Sequence, residues 1–586
     1  MRIVALLLAA AAVSPATDVL THHNNLARTG AVLDETILSP ATVKNQAFGR
    51  LFSVVVDGQI YAQPLVVTGL SIPGKGTRNV VYVATMRNAV YAFDADAPQP
   101  EPLWHVSLGA PMPYDRIPKD PGALLGQYNI RPYIGITSTP VIDREKQLIY
   151  VVAKIAEPQC PGAEAATPDC PVVYRIHSLD LATGAIAHRT DIRIPMTAPN
   201  VPPADVARRH LQRAALLLAN HRVYAAFGSH QDAPPWQGFI IAFDPDTLRQ
   251  LEPAFCTTPG GEQGGIWQAG NGPAVDAQGN LYVMTGNGSF DPAGRKQFGN
   301  TFLKLSPDLT PLDWFAPAAV NSLNLFDIDL GSSGPLLLPD SGQLVGGGKD
   351  GKLYVLDQSK LGGLQQHHWP HDGHDPPVQY FQAARPWRLT LLSWFPSLFA
   401  AGYHHNHGSP VYWNSRLKGP TIYLWPEEDK IRAFHYDQRT GFRTRALTGI
   451  MGNRGMPGGF LSVSANGPDD GILWAAIPYK DDAWVEIVRG TLRAFDANTL
   501  STTVEHRRQR TRRPLRFRQV QSTHCRQRQG LPPHLLRPAE CLRAACSQRR
   551  RRVCARAEGL QGPAPSRPRQ RRLRAFRTRR RPSPLV

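Results

Sequence analysis

The sequence predicts an all-β protein, a β-propeller in which four-stranded antiparallel sheets, called blades, pack around a central axis. A unit of three short apolar strands recurs along the chain, and one such unit cannot bury both of its faces alone. The 586 residues include 50 Gly and 53 Pro, as expected for a protein with many turns. Beyond the N-terminus no apolar run is long enough to span a membrane, so no transmembrane segment is predicted.

Residues 1–16 are predicted to be a secretory signal peptide. Arg2 supplies the positive start, residues 3–13 are apolar, and Ser-Pro-Ala at 14–16 offers small residues for cleavage. The mature chain is then expected to start near Thr17 and to be periplasmic or extracellular. A buried first strand is the alternative interpretation of the apolar run.

Seven copies of the strand unit lie within residues 17–500, the predicted propeller domain. The copies open on a short apolar strand, in most of them led by a small residue and Pro, at 63–66, 139–142, 216–218, 272–275, 334–337, 409–412 and 459–461. The third strand of each copy lies at 90–94, 176–180, 240–244, 302–305, 353–357, 431–434 and 492–496. Five of these strands end in Asp, for which we predict a turn role, because its side chain can bond backbone amides two residues further on.

The number of blades is predicted to be eight by design, with seven recognisable. Residues 49–55 resemble a fourth strand, which in a ring would complete a last blade begun by the C-terminus. The expected C-terminal partner is missing, so we predict that the eighth blade is lost in this chain. A seven-bladed ring is the alternative.

Residues 501–586 form an Arg-rich tail that is predicted to be disordered. The tail holds 25 Arg, no Lys and three acidic residues, so it accounts for the net charge of +19, and the rest of the chain is close to neutral. It also lacks Asp, Asn, Tyr, Trp, Ile and Met, which is typical of a GC-rich gene translated in the wrong frame. A basic tail can bind nucleic acid or an anionic surface, but a frameshift near Ser501 is our preferred interpretation, and no nucleic-acid partner is expected.

Cysteine and histidine give weaker signals. Cys160 and Cys170 flank a loop and could pair in an oxidising compartment or stay reduced. Histidine, a common ligand of transition metals, clusters at 367–374 and again at 404–407. Neither cluster has the spacing of a structural metal site, and polar loops collect His in any case. The apolar run at 389–401 contains Pro396 and is predicted to be an insertion that packs on the ring.

Three stretches resemble the repeat of the pyrrolo-quinoline quinone (PQQ) proteins. They are VYAFD at 90–94 with Trp104 downstream, LDLATG at 179–184 and LRAFD at 492–496. The resemblance covers roughly residues 45–500. It is specific for the fold and weak for function, because the same propeller hosts dehydrogenases and non-catalytic scaffolds.

A local resemblance to the quinoprotein alcohol dehydrogenases implies a site. GGIW at 264–267 is similar to the segment whose indole stacks under the quinone, which gives that role to Trp267. The GNG turn at 286–288 is similar to the turn whose Asn binds Ca²⁺, here Asn287. The family's segment with the catalytic base aligns so that its first Asp is replaced by Asn324 and its second matches Asp327. Lys349 stands where the family has a basic residue that touches the quinone.

This resemblance implies PQQ and Ca²⁺ as cofactors for the oxidation of an alcohol or sugar. Asn287 and Asp327 supply the oxygen ligands that Ca²⁺ prefers, and the ion would polarise the quinone carbonyl. Because Asn324 cannot accept a proton, Asp327 or Asp329 would act as the base. The vicinal disulfide of the best-known alcohol-oxidising members is absent from this sequence.

Each of these residues also has a structural interpretation. Trp267 could pack between blades, and the Asn287-Gly288 pair is common in tight turns. Asp327 and Asp329 could be turn or solvated residues, and Lys349 could be an exposed turn residue. The sequence therefore leaves open whether the protein is an enzyme. The two hypotheses are a PQQ-dependent dehydrogenase and a non-catalytic scaffold that binds protein partners on the propeller face in the cell envelope.

Overall fold

The computed structural model describes residues 17–504, apart from 45–47, 51, 99, 119–129, 158–170, 197–200, 231–233, 292–295, 366–377, 386–403, 438, 454, 480–481 and 484–486. Several predictions lie outside the described residues. These are the signal peptide, the Arg-rich tail beyond Val504, the Cys160–Cys170 pair, the histidine cluster at 367–374 and the apolar insertion at 389–401. The first residues of the predicted tail, Thr502–Val504, form a strand paired with Gly490–Asp496, so the disordered tail does not start at 501 as predicted.

The described chain is an all-β propeller with seven blades of antiparallel sheet, which confirms the predicted fold class and the seven recognisable units. In chain order, the strands of blade 1 are Leu65–Ile72, Gly76–Ala84, Ala89–Asp94 and Pro102–Ser107; of blade 2, Val141–Asp143, Leu148–Ala156, Val172–Asp180 and Ile186–Asp191; of blade 3, Leu217–Ala219, Arg222–Ser229, Phe239–Phe243 and Phe255–Cys256; of blade 4, Ala274–Val275, Leu281–Met284, Phe302–Leu305 and Pro311–Ala316; of blade 5, Leu336–Leu338, Gln343–Gly346, Lys352–Asp357 and Gln379–Gln382; of blade 6, Val411–Ser415, Gly419–Leu424, Lys430–Asp437 and Leu447–Gly452; and of blade 7, Phe460–Asn466, Asp469–Pro478, Gly490–Asp496 and Thr502–Val504.

Short elements fill the connections. Among the described residues, three helices span Pro40–Lys44, Pro203–Arg209 and Val320–Leu325, and three 3₁₀ turns span Tyr114–Arg116, Gln268–Gly270 and Leu330–Ser332. Two-residue strands occur at Ala31–Val32, Met112–Pro113, Tyr133–Ile134, His210–Leu211, Phe290–Asp291, Gln297–Phe298, Gly363–Leu364 and Gly441–Phe442. Within the described part of the chain, no helix has the length and apolar character that crossing a bilayer requires.

The central strands of a blade are apolar at successive positions because both of their faces are covered by neighbouring blades. Phe239–Phe243 is buried at every residue, whereas the outermost strand of blade 2, Ile186–Asp191, is mostly exposed. Apolar clusters join six consecutive pairs of blades, from blades 1 and 2 through to blades 6 and 7. These interfaces form the core, where a fully buried large aliphatic or aromatic side chain contributes about 1.5–3 kcal/mol.

The aspartates that end the third strands have the predicted turn role. In five blades the carboxylate accepts a hydrogen bond from the backbone amide two residues further on, with distances of 2.7–3.1 Å; the residues are Asp94, Asp180, Asp244, Asp357 and Asp496. Each carboxylate supplies a hydrogen-bond acceptor to a backbone amide of the turn that would otherwise have none.

A tryptophan fastens the outer strand of blade 1 to blade 2. The indole nitrogen of Trp104 donates to the carbonyl oxygen of Leu181 at 2.9 Å. A Cβ on Gly184 would lie only 2.6 Å from the indole ring, so the backbone of the LDLATG turn approaches that ring as closely as glycine allows.

Seven blades are present in the described residues, and the strand expected at 49–55 is not formed. The residues of this segment that the structure describes belong to no strand, and Val55 is 79% exposed. Blade 7 has four strands of its own, the last of which is Thr502–Val504. Seven observed blades agree both with an eight-bladed design that has lost its last blade and with a seven-bladed ring.

The junction between blades 7 and 1 differs from the other six. No apolar cluster joins these two blades among the described residues. A face of blade 7 is covered by Val43 of the first helix with Leu38 and Phe48, and a face of blade 1 is covered by Val56. This arrangement is what an eight-bladed design lacking its last blade would leave, and the eighth blade itself stays a prediction.

Residues 18–32, which we call the axial segment, line the inner edge of the blades. Its backbone carbonyls accept hydrogen bonds of 2.8–3.0 Å from the first strands of blades 1, 2, 4, 5, 6 and 7, through the amides of Val66, Ile142, Val275, Leu337, Tyr412 and Val463. In five of these blades the donor stands two residues after the repeat's Pro, at one equivalent position. The axial segment therefore satisfies inner-edge amides that would otherwise be unpaired.

Candidate functional site

Strand order brings the predicted site residues to one end of the ring. In an antiparallel blade, the turn between the second and third strands lies at the same end as the connection to the next blade. We call this the upper end. Trp267 lies in the connection from blade 3 to blade 4, Asp327 and Asp329 lie in that from blade 4 to blade 5, and Asn287 and Lys349 follow the second strands of blades 4 and 5.

Asp329 is the centre of the cluster. Its Oδ1 accepts the backbone N–H of Asn287 at 2.8 Å, and its Oδ2 lies 2.5 Å from the Nζ of Lys349. Its backbone carbonyl also accepts the amide of Lys349 at 3.0 Å. Only 9% of the Asp329 side chain is exposed, so the pair with Lys349 is largely shielded from water and is stronger than a surface ion pair.

Asp327 stands at the rim of the same cluster. Its Oδ1 accepts the side-chain amide of Asn287 at 2.8 Å, and both carboxylate oxygens lie 3.2 Å from the Nζ of Lys349. Partial desolvation and the nearby Asp329 raise the pKa of Asp327, although Lys349 opposes the shift. Because 69% of the side chain is exposed, water screens these interactions. The residue has φ of 55°, a left-handed conformation that Asp tolerates better than most residues.

Trp267 joins the cluster through a glycine. A Cβ on Gly286 would lie 3.0 Å from Cδ1 of Trp267 and 2.3 Å from Oδ1 of Asp329, so only glycine fits between the indole and the carboxylate. Trp236 packs against Trp267 edge to face, with ring centroids 5.8 Å apart. Trp267 is half-buried, and it contacts an apolar cluster that includes Met112. Part of the indole therefore has a packing role, and its role toward a quinone stays a prediction.

Asn324, at the position of the family's base, is held by neutral groups. Its Oδ1 accepts the amide of Gly288 at 3.0 Å, and its side-chain nitrogen donates to the carbonyl of Gly288 at 2.9 Å. Its role here is to fasten the turn that carries Asn287.

Asn300 is a member of the site that sequence reasoning missed. It is fully buried, and its side-chain nitrogen donates to the amide oxygens of Asn287 at 2.9 Å and Asn324 at 2.8 Å. Its own amide oxygen accepts the backbone N–H of Leu330 at 2.8 Å. The available signal was the Gly299-Asn300 pair before a buried strand, a pair that has many uses in turns.

The donor set has the chemistry of a Ca²⁺ site. Carboxylate oxygens of Asp327 and Asp329 and the amide oxygen of Asn287 all belong to one hydrogen-bonded cluster, and oxygen is the ligand that this ion prefers. The ammonium group of Lys349 contacts both carboxylates and offsets one of their two negative charges, so one negative charge remains. The residues present therefore fit a hard cation in their chemistry.

Comparison with known proteins supports the fold. No family model matches the chain, and no curated protein matches it. Among solved structures, a quinohemoprotein alcohol dehydrogenase from Pseudomonas putida HK5 superposes with a TM-score of 0.51 at 14% identity, over 83% of this chain and 72% of that one. At that identity the likeness shows the propeller fold alone.

Two further structures superpose less well. A europium-containing methanol dehydrogenase gives a TM-score of 0.48 at 14% identity, over 83% of this chain and 84% of that one. BamB from Moraxella catarrhalis gives 0.29 at 11% identity, over 62% and 76% of the two chains. With TM-scores below 0.5, neither likeness supports an inference about function.

Proposed function

We propose that this chain is an exported, quinoprotein-like propeller of the PQQ-repeat type, which binds PQQ and Ca²⁺ at the Asp329 cluster for the oxidation of an alcohol or sugar. One observation carries the proposal. Trp267, Asn287, Asp329 and Lys349 come from separate loops, and they meet at the upper end in one cluster. The export of the chain to the periplasm or the cell exterior rests on the signal-like sequence at 1–16.

The residues of this chain would divide the work as follows. Asn287 and Asp327 would hold the cation, Trp267 would present its indole to the flat quinone, and Lys349 would contact a quinone oxygen. When bound, the quinone supplies the hydride acceptor. Asp327 or Asp329 would take the proton of the substrate hydroxyl, since Asn324 cannot accept one.

Asn324 favours the alternative function, a non-catalytic scaffold that binds protein partners in the cell envelope. A neutral amide stands where the resemblance calls for a base, and both ends of that amide are engaged by Gly288. Lys349 already contacts both carboxylates and offsets one of their two negative charges without any added cation. A cluster of this kind can also serve only to lock the loops of blades 4 and 5 together.

Titration of the full chain with PQQ, with and without Ca²⁺, tests the proposal. We expect a shift of the quinone absorbance that requires Ca²⁺. Trp267→Ala is expected to weaken quinone binding by about 10-fold, because an aromatic stack is worth about 1.4 kcal/mol.

The matched control is Trp474→Ala, which removes a half-buried tryptophan from blade 7. This variant is expected to bind the quinone as the unchanged chain does. Absence of an absorbance shift in the unchanged chain, or an equal shift in Trp267→Ala, would contradict quinone binding and would favour the scaffold.

A further inference from the structure

A second cluster lies at the upper end, one blade further along the ring. His405 and His407 lie in the connection from blade 5 to blade 6, and Glu427 lies in the turn between the second and third strands of blade 6. Asp327, Asp329 and Lys349 occupy the two corresponding loops one blade earlier. The repeat thus offers the same pair of loops twice, with different side chains.

The ligand atoms of the second cluster converge on a common point. Oε2 of Glu427 lies 3.3 Å from Nδ1 of His405 and 3.3 Å from Nε2 of His407, and all three atoms lie within 4.8 Å of one another. Ligands that bind one tetrahedral Zn²⁺ at about 2.1 Å are separated by about 3.4 Å. The two measured separations therefore match those around a single ion.

The three ligand atoms are not taken up by hydrogen bonds to other groups. Nδ1 of His405, Nε2 of His407 and Oε2 of Glu427 are buried atoms without a well-formed hydrogen bond to any residue that the structure describes. Buried polar atoms left in this state are costly, and an ion bound between them is one accepted reason for them. The side chains are 24%, 12% and 13% exposed, respectively, so a small ion can reach them.

The surroundings hold the cluster in place. The amide of Glu427 donates to the carbonyl of His405 at 2.9 Å, which ties the two loops together. Asn406, between the two histidines, points to blade 5, where its side chain donates to the carbonyl of Lys352 at 3.1 Å. In an extended segment alternate residues share a side, so the anchoring of Asn406 leaves His405 and His407 together.

The ligand types suit metal binding. Imidazole nitrogens and a carboxylate oxygen are ligands that transition metals accept, and they bind the metal as neutral imidazole and ionised carboxylate.

We propose that His405, His407 and Glu427 bind one divalent transition-metal ion. The expected ion is Zn²⁺, and these three ligands leave one of its coordination positions open. Two imidazole nitrogens and one carboxylate oxygen form a ligand set of the kind found in catalytic zinc sites, which keep a position for water or substrate. This site is distinct from the oxygen-ligand cluster at Asp329 in its ligands and in the ions that it selects.

A Co²⁺ titration of the full chain, stripped of metal and free of quinone, tests this site. We expect a visible absorption band that saturates near one equivalent and that is bleached by Zn²⁺ but not by Ca²⁺. Glu427→Gln and His407→Gln keep the size of each side chain and are each expected to weaken Co²⁺ binding by at least about 10-fold.

His188→Gln is the matched control, because it removes an exposed histidine from blade 2, and it is expected to leave the titration unchanged. Circular dichroism of each variant checks that the propeller is folded, and Glu427→Asp, which retains a carboxylate, is expected to recover part of the affinity. Absence of the band in the unchanged chain, or an unchanged titration in both Gln variants, would overturn the proposal. Because no quinone is present, this outcome is independent of the one for quinone binding.

Discussion

His23, His177 and His210 are histidines that burial keeps neutral in the folded chain. Burial lowers the pKa of each to about 4, from an ordinary value of 6.5. The backbone carbonyls of Val206 and Gln237 lie 2.7 and 3.0 Å from the two nitrogens of His210, and a neutral ring can donate to only one of them, so these contacts oppose the shift without reversing it. Protonation of any of the three would place a positive charge in a buried site.

These histidines make stability depend on pH in one direction. Between pH 6.5 and 4 the unfolded chain binds more protons than the folded chain, so their contribution is complete above pH 6.5 and is lost as the pH falls towards 4. Each contributes a slope of up to about 1.4 kcal/mol per pH unit. Urea unfolding at pH 7, 6 and 5 measures it.

His177→Gln removes one of the three buried histidines and is expected to reduce the slope of the unfolding free energy against pH. His188→Gln, at an exposed position, is expected to leave it as it was. A free energy of unfolding that does not fall between pH 6.5 and 5 would contradict the assignment of neutral, buried histidines.

At the scale of elements, the contribution of the axial segment to the stability of the fold can be measured with a single substitution. Gly30 has φ of +69°, and a Cβ there would lie 2.5 Å from Cγ1 of Val411 in blade 6. Gly30→Ala is expected to cost about 2–5 kcal/mol, from left-handed strain plus overpacking. Denaturant unfolding of the full chain gives the value.

Gly69→Ala in blade 1 is the matched control. Gly69 also has a positive φ, +59°, but a Cβ there would meet nothing within 4 Å. Its cost is therefore expected to be about 1–2 kcal/mol, from backbone strain alone. Equal costs for the two substitutions would show that the contact between the axial segment and blade 6 adds nothing to stability.

At the scale of the whole molecule, the junction between blades 7 and 1 bears on the predicted frameshift near Ser501. If the frame is wrong there, resequencing the DNA should reveal a corrected downstream sequence that carries one more copy of the strand unit. The restored blade would pack against blades 7 and 1 as neighbouring blades do elsewhere in the ring. The corrected protein is then expected to melt several degrees higher than a chain that ends at Val504, since about 1 kcal/mol moves the Tm of a domain by a few degrees.

The chain that ends at Val504 is the right comparison because it keeps every described strand, including Thr502–Val504 of blade 7. A clean open frame across Ser501, or a corrected chain without a further strand unit, would contradict the prediction. The basic tail would then have to be considered a genuine part of the protein.

Local patterns made the blades predictable. The short apolar strands of each copy and the aspartates that end five of the third strands depend on contacts between residues close together in the chain. The structure confirms the strands and the turn role of the aspartates. The gathering of Trp267, Asn287, Asp329 and Lys349 was reached through a resemblance, and their functional roles stay predictions. The strand expected at 49–55 did not form, because a strand needs a neighbouring strand to pair with and the described residues hold no strand of an eighth blade.

The sequence by itself determined the repeated strands, their turns and therefore the propeller, because each of these depends on side chains a few residues apart. Only the tertiary structure decided the path of the axial segment, the bridging position of Asn300 and the meeting of His405 and His407 with Glu427. These contacts join residues that are far apart in the chain or follow from which way a loop side chain turns. The repeating pattern of the sequence does not predict such a contact, because the contact forms only when the blades pack around their axis.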